Sequence, residues 1–355
     1  MRRLTASVVG CGGGGTLSLN ALKASPRFEL VAAADLKPEA CRKAEEKFPG
    51  LRTFASHQDM FAKCPTDVVC VSTFPPSHEA VTMDALKLPL KGILVEKPLG
   101  HTAASGRRLL DAIKTRRLPV AVPHNLLARK TPLEVIARVR NGELGILNLV
   151  EIQCDKWDII NAGIHWLDFF VTLTGNEPMD HVMALCDAST RTYRDGMQVE
   201  TTAATYAQTR SGTRVVMNTG DYILVKREEK KGGILFRLIG AAGQIEFWGW
   251  EDGYRILNAE FPKGELIIPS QMPVTGHRLH LENMAAMVDS GRPDYAIPDS
   301  SLAALEICEG AYLSSRHRCK VTFPLAQFVP PPPSDWDPGT PYSGQGGGRD
   351  GRKLG

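Results

Sequence analysis

The stretch V-V-G-C-G-G-G-G-T, residues 8–16, identifies the class of fold. It follows an apolar run of strand length and opens a segment with helical periodicity. Gly10, Gly12 and Gly15 have the spacing G-x-G-x-x-G, and Asp35 ends the next apolar run twenty residues after Gly15. This order is the complete sequence signature of a dinucleotide-binding turn: a strand, a glycine loop, a helix, and an acidic residue at the end of the second strand. A plain glycine-rich turn is the alternative.

The glycines of this loop predict how a dinucleotide would be held. Residues without a Cβ let the main chain approach a pyrophosphate closely, and the N-terminus of the following helix stabilises its charge. Asp35 would accept hydrogen bonds from ribose hydroxyls and repel a 2′-phosphate, which favours NAD over NADP, although Lys37 beside it would tolerate a phosphate. The predicted cofactor-binding residues of the loop are Gly10, Gly12, Gly13, Gly14 and Gly15.

Short apolar runs alternate with helix-length periodic segments in the first third of the chain. This alternation is typical of βαβ units and a parallel sheet, so we predict a Rossmann dinucleotide-binding domain over residues 1–124. The runs after the glycine loop are 28–35, 67–72, 92–98 and 118–122, and the periodic segments are 16–24, 38–48, 77–87 and 103–115.

The remainder of the chain has a different character. After a helical stretch, β-branched or alternating segments follow one another, and they predict an open, mostly antiparallel sheet over 125–328 with a helix inserted at 161–173. This domain would carry the substrate site and the oligomer contacts. For the late helices within 277–315, packing on the first domain is the alternative. Residues 329–355 are too rich in Pro and Gly to build a core, which predicts a loose tail, with anchoring through Trp336 and Tyr342 as the alternative.

Composition excludes several classes of partner. The 42 basic and 39 acidic residues give a net charge of +3, too small and too evenly spread for a nucleic-acid or membrane surface. The eight cysteines form no C-x-x-C pair, so free thiols in a reducing compartment are expected. No segment has the apolar length of a signal peptide or a membrane span, so we expect a cytoplasmic protein.

The stretch V-E-K-P-L-G, residues 95–100, stands where a strand of the parallel sheet should end. Ligands of open α/β sheets bind beyond the carboxyl ends of the strands, so Lys97 is predicted to face the cofactor. Pro98 biases the lysine towards an extended conformation. A surface charge without function is the alternative for a lone lysine, and Glu96 and Pro98 on either side argue against it.

The stretch I-N-A-G-I-H-W-L-D, residues 160–168, holds Asn161 and His165 four residues apart, which is one face of a helix. Histidine is the natural residue for proton transfer near neutral pH. The alternative for His165 is a core histidine with a satisfied hydrogen bond. The alternative for Asn161 is a role at the start of the helix or in packing. His277 and His280, three apart, lack an evident third ligand for a metal, so no metal site is predicted.

These motifs together resemble the Gfo/Idh/MocA family, named after glucose–fructose oxidoreductase, inositol dehydrogenase and a rhizopine-catabolism protein. The resemblance covers roughly residues 4–325 and also rests on S-T-F-P-P-S-H at 72–78 and G-A-A-G-Q-I-E at 240–246. It implies a Rossmann domain followed by an open antiparallel sheet through which homodimers or homotetramers form. It also implies NAD-dependent hydride transfer with a carbinol of a sugar, a cyclitol or a related compound.

The resemblance further implies roles for individual residues. The catalytic lysine of the family corresponds to Lys97 and its general acid/base histidine to His165, while Glu96 is expected to bind the nicotinamide ribose or to brace the turn. The positions that line the nicotinamide and its ribose are Thr73, Pro76, His78 and Asn125.

One position departs from the family pattern. Many members carry an aspartate four residues before the histidine, where this chain has Asn161, an amide with no charge and no useful pKa. We expect Asn161 to orient substrate hydroxyls, with Asp158 and His124 close to the substrate. Trp157 and Trp166 are expected to offer stacking surfaces for a sugar.

Three functions follow from these expectations. The first is an NAD-dependent dehydrogenase or reductase of a sugar or polyol. The second is a glycoside hydrolase, lyase or epimerase that oxidises the sugar transiently to a ketone with no net change of cofactor, which the uncharged Asn161 favours. The third is a non-catalytic NAD-binding module, against which Lys97 and His165 argue.

Overall fold

The computed structural model of the protein describes residues 3–187, 193–221, 223, 233–329 and 339–341. The chain divides into two compact units. The first unit comprises Met1–Ala128 and Val274–Leu302, and the second comprises Arg129–Pro273 and the chain from Ala303 onward. Of the predicted tail, only residues 329 and 339–341 are described, so Trp336 and Tyr342 lie outside the described residues.

The first unit holds a parallel sheet of six strands, which confirms the predicted Rossmann fold. Its strands are β1 (Leu4–Val9), β2 (Phe28–Ala34), β3 (Arg52–Phe54), β4 (Val68–Val71), β5 (Gly92–Val95) and β6 (Val120–Ala121), in the order β3-β2-β1-β4-β5-β6. Its first helices are α1 (Gly13–Ala24), α2 (Pro38–Lys47), α3 (His57–Lys63), α4 (Pro75–Ala85) and α5 (Ala103–Thr115).

The second unit holds a sheet of nine strands that is antiparallel except at one pair. Its elements are α6 (Lys130–Arg140), β7 (Leu147–Asp155), a π-helical turn (Ile159–Gly163), α7 (Ile164–Leu173), β8 (Met179–Asp187), a hairpin of β9 (Tyr193–Arg194) and β10 (Met197–Gln198), β11 (Thr202–Thr209), β12 (Arg214–Gly220), β13 (Ile234–Gly240), β14 (Gly243–Trp248), β15 (Tyr254–Asn258) and β16 (Glu265–Ile267). The last elements of the chain are α8 (Gly276–Ser290), α9 (Ala296–His317) and β17 (Val321–Thr322). The sheet order is β16-β15-β14-β13-β7-β12-β11-β8-β17, and β7 and β12 are the parallel pair.

Burial explains why the strands of the first unit read as continuous apolar runs. All residues of β4 and β5 are buried, because helices cover both faces of a parallel sheet. Side chains alternate between the faces, so Val69 and Val71 pack in one apolar cluster while Val68 and Cys70 pack in another. The second cluster includes Met284 of α8, which therefore belongs to the first unit.

Helix α7 is almost entirely buried against the sheet of the second unit. The ring of Phe169 meets Phe236 and Phe247 edge-on, with centroids 5.3 and 5.5 Å apart. Trp166 meets Phe236 edge-on at 5.9 Å and is buried, so the structure places it in this aromatic core, and its expected role as a stacking surface for sugar is wrong. The apolar residues continue around the helix because it is a core helix.

The predicted helix at 161–173 differs from the observed one at its start. A π-helical turn over Ile159–Gly163 precedes α7, and Asp158 caps this turn by accepting a hydrogen bond from the Asn161 main-chain N–H at 2.7 Å. A Cβ on Gly163 would lie 3.1 Å from Met217 Cε and 3.3 Å from the carbonyl oxygen of Asp158, so the wide turn needs a small residue there. In the described parts of the chain, no helix has both the length and the apolar character needed to cross a bilayer.

Candidate active site

The glycine loop closes only because two of its residues lack a Cβ. Gly10 has a φ of +95°, and a Cβ there would lie 2.4 Å from the carbonyl oxygen of Ser72. A Cβ on Gly15 would lie 1.8 Å from the carbonyl oxygen of Gly10, well inside van der Waals contact. The two glycines therefore hold β1, the loop and the start of α1 at distances that no other residue allows.

The N-terminus of α1 opens onto free space. Gly12 is the N-cap residue and has no side chain that could cap the first turn, and a Cβ on it would meet no atom within 4 Å. The first N–H groups of a helix need partners, and together with the helix dipole they attract an anion. The loop therefore fits the pyrophosphate of a dinucleotide, through its main chain and the space above Gly12.

Asp35 stands beside this loop. One carboxylate oxygen accepts a hydrogen bond from the Cys11 main-chain N–H at 2.7 Å, and the other accepts from the Lys37 N–H at 2.8 Å. A carboxylate offers about four acceptor positions, so these bonds orient Asp35 and still leave acceptor capacity for ribose hydroxyls. The Lys37 side chain is exposed and borders, with Lys43 and Lys47, a groove of about 340 Å³ between α1 and α2.

Glu96 braces the turn that carries Lys97. Its Oε1 lies 2.6 Å from His277 Nε2, and its Oε2 accepts a hydrogen bond from the Lys97 main-chain N–H at 3.3 Å. Burial raises the pKa of Glu96, but the imidazole of His277, with Lys97 and His78, outweighs burial, so the pKa lies below its usual value. The brace was one of the two expected roles of Glu96, whereas His277 as its partner was not foreseen.

His78 connects the same turn to the loop after β4. Its Nδ1 lies 2.8 Å from the carbonyl oxygen of Pro98, and its Nε2 lies 2.9 Å from that of Thr73. Burial lowers the pKa of His78, against the opposing effect of these two carbonyl groups. Pro76, in the first turn of α4, is half-buried, and Thr73 accepts a hydrogen bond from the Ser77 hydroxyl at 2.8 Å.

His124 is fully buried in the first unit. Its Nε2 lies 2.8 Å from the Ser301 hydroxyl, and its carbonyl oxygen lies 3.0 Å from His280 Nε2. Burial holds the pKa of His124 well below its usual value and lowers that of His280 to about 4, so both rings are neutral near pH 7. Asn125 begins a short 3-10 turn, with its Oδ1 3.7 Å from the position of a Cβ on Gly276.

The histidines of α8 thus bind different partners, His277 the carboxylate of Glu96 and His280 the main chain of His124. Within the part of the chain that the structure describes, no group of three or more His, Cys, Asp or Glu residues is arranged to hold a metal ion.

The second unit brings together four of the predicted residues around the π-helical turn. Asp158 is fully buried, and its Oδ1 accepts hydrogen bonds from the Asn161 N–H at 2.7 Å and from Asn161 Nδ2 at 3.0 Å. His165 follows one turn later in α7, with 8% of its surface exposed. Trp157 is 36% exposed, and the guanidinium of Arg194 lies 4.5 Å from the centroid of its ring.

Two charged residues of this region were not predicted. Arg194 is 3% exposed and donates to Asp158 Oδ2 at 2.8 Å, while Glu200 is 1% exposed and accepts from the Ile159 N–H at 2.7 Å and from the Tyr312 hydroxyl at 2.8 Å. The sequence offered one signal for the hairpin that carries Arg194, because the dipeptide D-G at 195–196 is typical of a tight hairpin turn. In the structure both residues have the positive φ of such a turn.

The Glu200 carboxyl makes the stability of the protein depend on pH. Burial, and after it the charge of Asp158, raises the pKa of Glu200 from 4.5 to about 7. The folded protein therefore holds the Glu200 proton more tightly than the unfolded chain does. The resulting stabilisation of the folded state is fully present below pH 4.5 and is lost as the pH rises through 7. We expect this loss to reach about 3 kcal/mol in the free energy of unfolding and to be absent from Glu200→Gln.

Urea denaturation at pH 5 and pH 8 measures this difference. The control is Glu177→Gln, since Glu177 also accepts from a main-chain N–H and a hydroxyl, those of Ser211, but at an exposed turn. Equal pH dependence in wild type and Glu200→Gln would show that Glu200 titrates in its ordinary range.

Comparison with known proteins identifies the fold just described. A family described as an oxidoreductase family with an NAD-binding Rossmann fold, GFO_IDH_MocA, matches residues 4–124. Residues 4–124, which form most of the first unit, thus match the Gfo/Idh/MocA family. An inositol 2-dehydrogenase from Rubrobacter xylanophilus is 29% identical over 180 residues, 47% of this chain and 51% of the relative. The chain spans about half, or less, of the length of the curated relatives that it matches.

Solved structures of dehydrogenases share the fold along nearly the whole chain. Levoglucosan dehydrogenase, in a complex with NADH and levoglucosan, has a TM-score of 0.77 at 15% identity and covers 91% of this chain and 100% of its own. The WlbA dehydrogenase from Bordetella pertussis, in a complex with NADH and UDP-GlcNAcA, has a TM-score of 0.74 at 19% identity, with 92% and 99% covered. At these identities the likeness establishes the fold alone.

Proposed function

We propose that the protein is an NAD-dependent oxidoreductase that transfers a hydride between nicotinamide and a carbinol of a sugar, cyclitol or sugar derivative. The observation that carries the proposal is the position of the E-K-P turn against the glycine loop. A Cβ on Gly14 would lie 3.5 Å from the carboxyl carbon of Glu96, the residue directly before Lys97. A braced lysine next to the pyrophosphate cradle has the location that hydride chemistry on a bound dinucleotide requires.

The residues have distinct tasks in this proposal. NAD, when bound, supplies the hydride acceptor at its nicotinamide ring. Lys97 polarises the oxygen of the reacting carbinol, His165 takes the hydroxyl proton, and Asn161 orients a neighbouring hydroxyl. The Gly10–Gly15 loop holds the pyrophosphate and Asp35 the adenosine ribose. The residues proposed to line the nicotinamide and its ribose are Thr73, Pro76, His78, Glu96 and Asn125.

The substrate class follows from chemistry and from relatives. Relatives named for inositol, D-apiose and levoglucosan oxidation all act on compounds rich in hydroxyl groups. Trp157, half-exposed beside the π-helical turn, offers an aromatic surface for the apolar face of such a ring. A homodimer or homotetramer through the open sheet face, where Met183 and Leu185 are exposed, and a cytoplasmic location remain predictions.

Asn161 favours a second candidate, transient oxidation with return of the hydride. An uncharged amide cannot stabilise a cationic lysine or histidine as the usual aspartate would. Hydrolysis, elimination or epimerisation of a keto-sugar would then proceed with no net reduction of NAD.

Purified protein incubated with NAD and a panel of sugars and cyclitols tests both candidates. We expect the absorbance of reduced nicotinamide to reach at least one equivalent per protein with one of the polyols. Conversion of a glycoside or a sugar epimer with no net cofactor change would replace the first candidate by the second, and neither reaction with any panel member would overturn both.

Asp35 is expected to set the preference for NAD. In Asp35→Ser the Kd of NAD rises by about tenfold to a hundredfold, because hydrogen bonds from the ribose hydroxyls to a charged acceptor are lost. The Kd of NADP rises less, since the repulsion of its 2′-phosphate is removed. Titration of both cofactors followed by fluorescence measures the ratio, with Asp111→Ser on the exposed surface of α5 as the control. An unchanged ratio in Asp35→Ser would exclude the carboxylate from cofactor selection.

A further inference from the structure

A buried ion pair lies directly at the turn that carries Asn161. Asp158 has no exposed surface, and its Oδ2 accepts from Arg194 Nη1 at 2.8 Å. Close to this pair lies the Glu200 carboxyl, which accepts hydrogen bonds from the Ile159 N–H and the Tyr312 hydroxyl. A buried ion pair gives little net stability, because both charges lose their hydration. Its role is therefore to be found in the groups that it holds in place.

The second oxygen of Asp158 fixes the orientation of the Asn161 amide. Asp158 Oδ1 lies 3.0 Å from Asn161 Nδ2 and 2.7 Å from the main-chain nitrogen of the same residue. An ionised carboxylate can only accept hydrogen bonds, so the NH2 end of the amide has to face it. The planar amide then directs its carbonyl oxygen away from Asp158.

Arg194 keeps this arrangement in one state. Its guanidinium remains charged at all relevant pH values, and it donates to Asp158 Oδ2 at 2.8 Å in a buried ion pair. A protonated or amide side chain at position 158 would offer a donor as well as an acceptor, and the Asn161 amide would then have two orientations. The hairpin of β9 and β10, which carries Arg194, thus acts on Asn161 through Asp158.

We propose that Asp158 and Arg194 are positioning residues that make Asn161 present a hydrogen-bond acceptor, so that the site selects a substrate with a donating hydroxyl at that position. The inference rests on the proposed function, in which Asn161 contacts the polyol. A hydroxyl can donate to the Asn161 carbonyl oxygen, whereas an ether oxygen can only accept. A site built to bind a hydroxyl discriminates strongly against an analogue that cannot make this bond.

The test compares the best polyol of the panel with its mono-O-methyl ethers. Wild-type protein is expected to discriminate against at least one ether by about a hundredfold in kcat/KM. In Asp158→Asn, and in Arg194→Met, this ratio falls about tenfold and the KM of the parent polyol rises, with the Kd of NAD unchanged. Arg194→Lys, which keeps the charge, retains most of the discrimination, and Glu177→Gln behaves as wild type.

A double-mutant cycle separates positioning from general loosening of the turn. Asn161→Ala should lose the discrimination by itself, and adding Asp158→Asn to it should lose no more, because Asp158 acts through Asn161. Independent, additive losses would overturn the inference and leave the proposed function intact. Asn161→Ala leaves Asp158 and Arg194 paired, so its loss of discrimination stays measurable if Asp158→Asn does not fold. Failure of the wild-type protein to bind any polyol in calorimetry with NADH overturns the proposed function together with the inference.

Discussion

Replacing Lys97 with alanine is expected to lower kcat for polyol oxidation by about a thousandfold. The lysine ammonium is the only charge that the proposed mechanism places on the reacting oxygen, so its removal raises the barrier of the hydride step. The turn itself should survive, because the brace from Glu96 reaches the main-chain N–H of residue 97 and the imidazole of His277, and neither contact needs the Lys97 side chain. The Kd of NAD should therefore change by less than about threefold.

The other end of β5 supplies the matched control. Lys91 directly precedes the strand and pairs with Asp67 at 2.8 Å on the surface, so Lys91→Ala removes a lysine from the same strand at the end remote from the turn. Stopped-flow measurement of reduced nicotinamide should show wild-type amplitude and rate for Lys91→Ala and a phase about a thousandfold slower for Lys97→Ala. Unaltered turnover in Lys97→Ala would remove Lys97 from the mechanism.

Alanine substitutions of two glycines in the same loop should differ in their effect on folding. Gly12 has a φ of −71° and free space around the position of a Cβ, so Gly12→Ala should fold with nearly unchanged stability. The same Cβ would occupy the space proposed for the pyrophosphate, so the Kd of NAD should rise by about a hundredfold or more. In Gly15→Ala the Cβ would meet the Gly10 carbonyl oxygen at 1.8 Å, and stability should fall together with NAD binding.

Thermal unfolding and NAD titration of both variants make this comparison. The informative variant is Gly12→Ala, because its loss of binding cannot be ascribed to loss of structure. Wild-type affinity for NAD in a well-folded Gly12→Ala protein would show that the pyrophosphate does not lie at the N-terminus of α1.

The parallel sheet was predictable because its signals are local. The glycine loop, the fully buried strands and the helix-length segments between them each occupy a continuous stretch, and the bounds of α5 are those expected from periodicity. The three-residue strand Arg52–Phe54 and the seven-residue helix His57–Lys63 were missed, since so few residues show no reliable period.

The support of the candidate site depends on contacts between distant segments, and for this reason it was not predictable. Glu96 and its partner His277 are 181 residues apart, and Asp158 and Arg194 are 36 apart. Asp158 itself was expected at the substrate, but its carboxylate is bonded to Asn161 and Arg194, which led us to propose a positioning role for it. The π-helical turn likewise depends on the Asp158 cap and on space beside Met217, neither of which a helical period encodes.

The central claim is hydride transfer to NAD with Lys97 taking part, and isotope transfer tests it most directly. The protein is incubated with NAD and with the best polyol of the panel deuterated at its carbinol carbons, and the nicotinamide is examined by mass spectrometry. The account predicts deuterium on the nicotinamide ring with wild-type protein and with Lys91→Ala, and accumulation of this label about a thousandfold more slowly with Lys97→Ala. Oxidation of the polyol without deuterium on the nicotinamide, or transfer at the wild-type rate with Lys97→Ala, would contradict it.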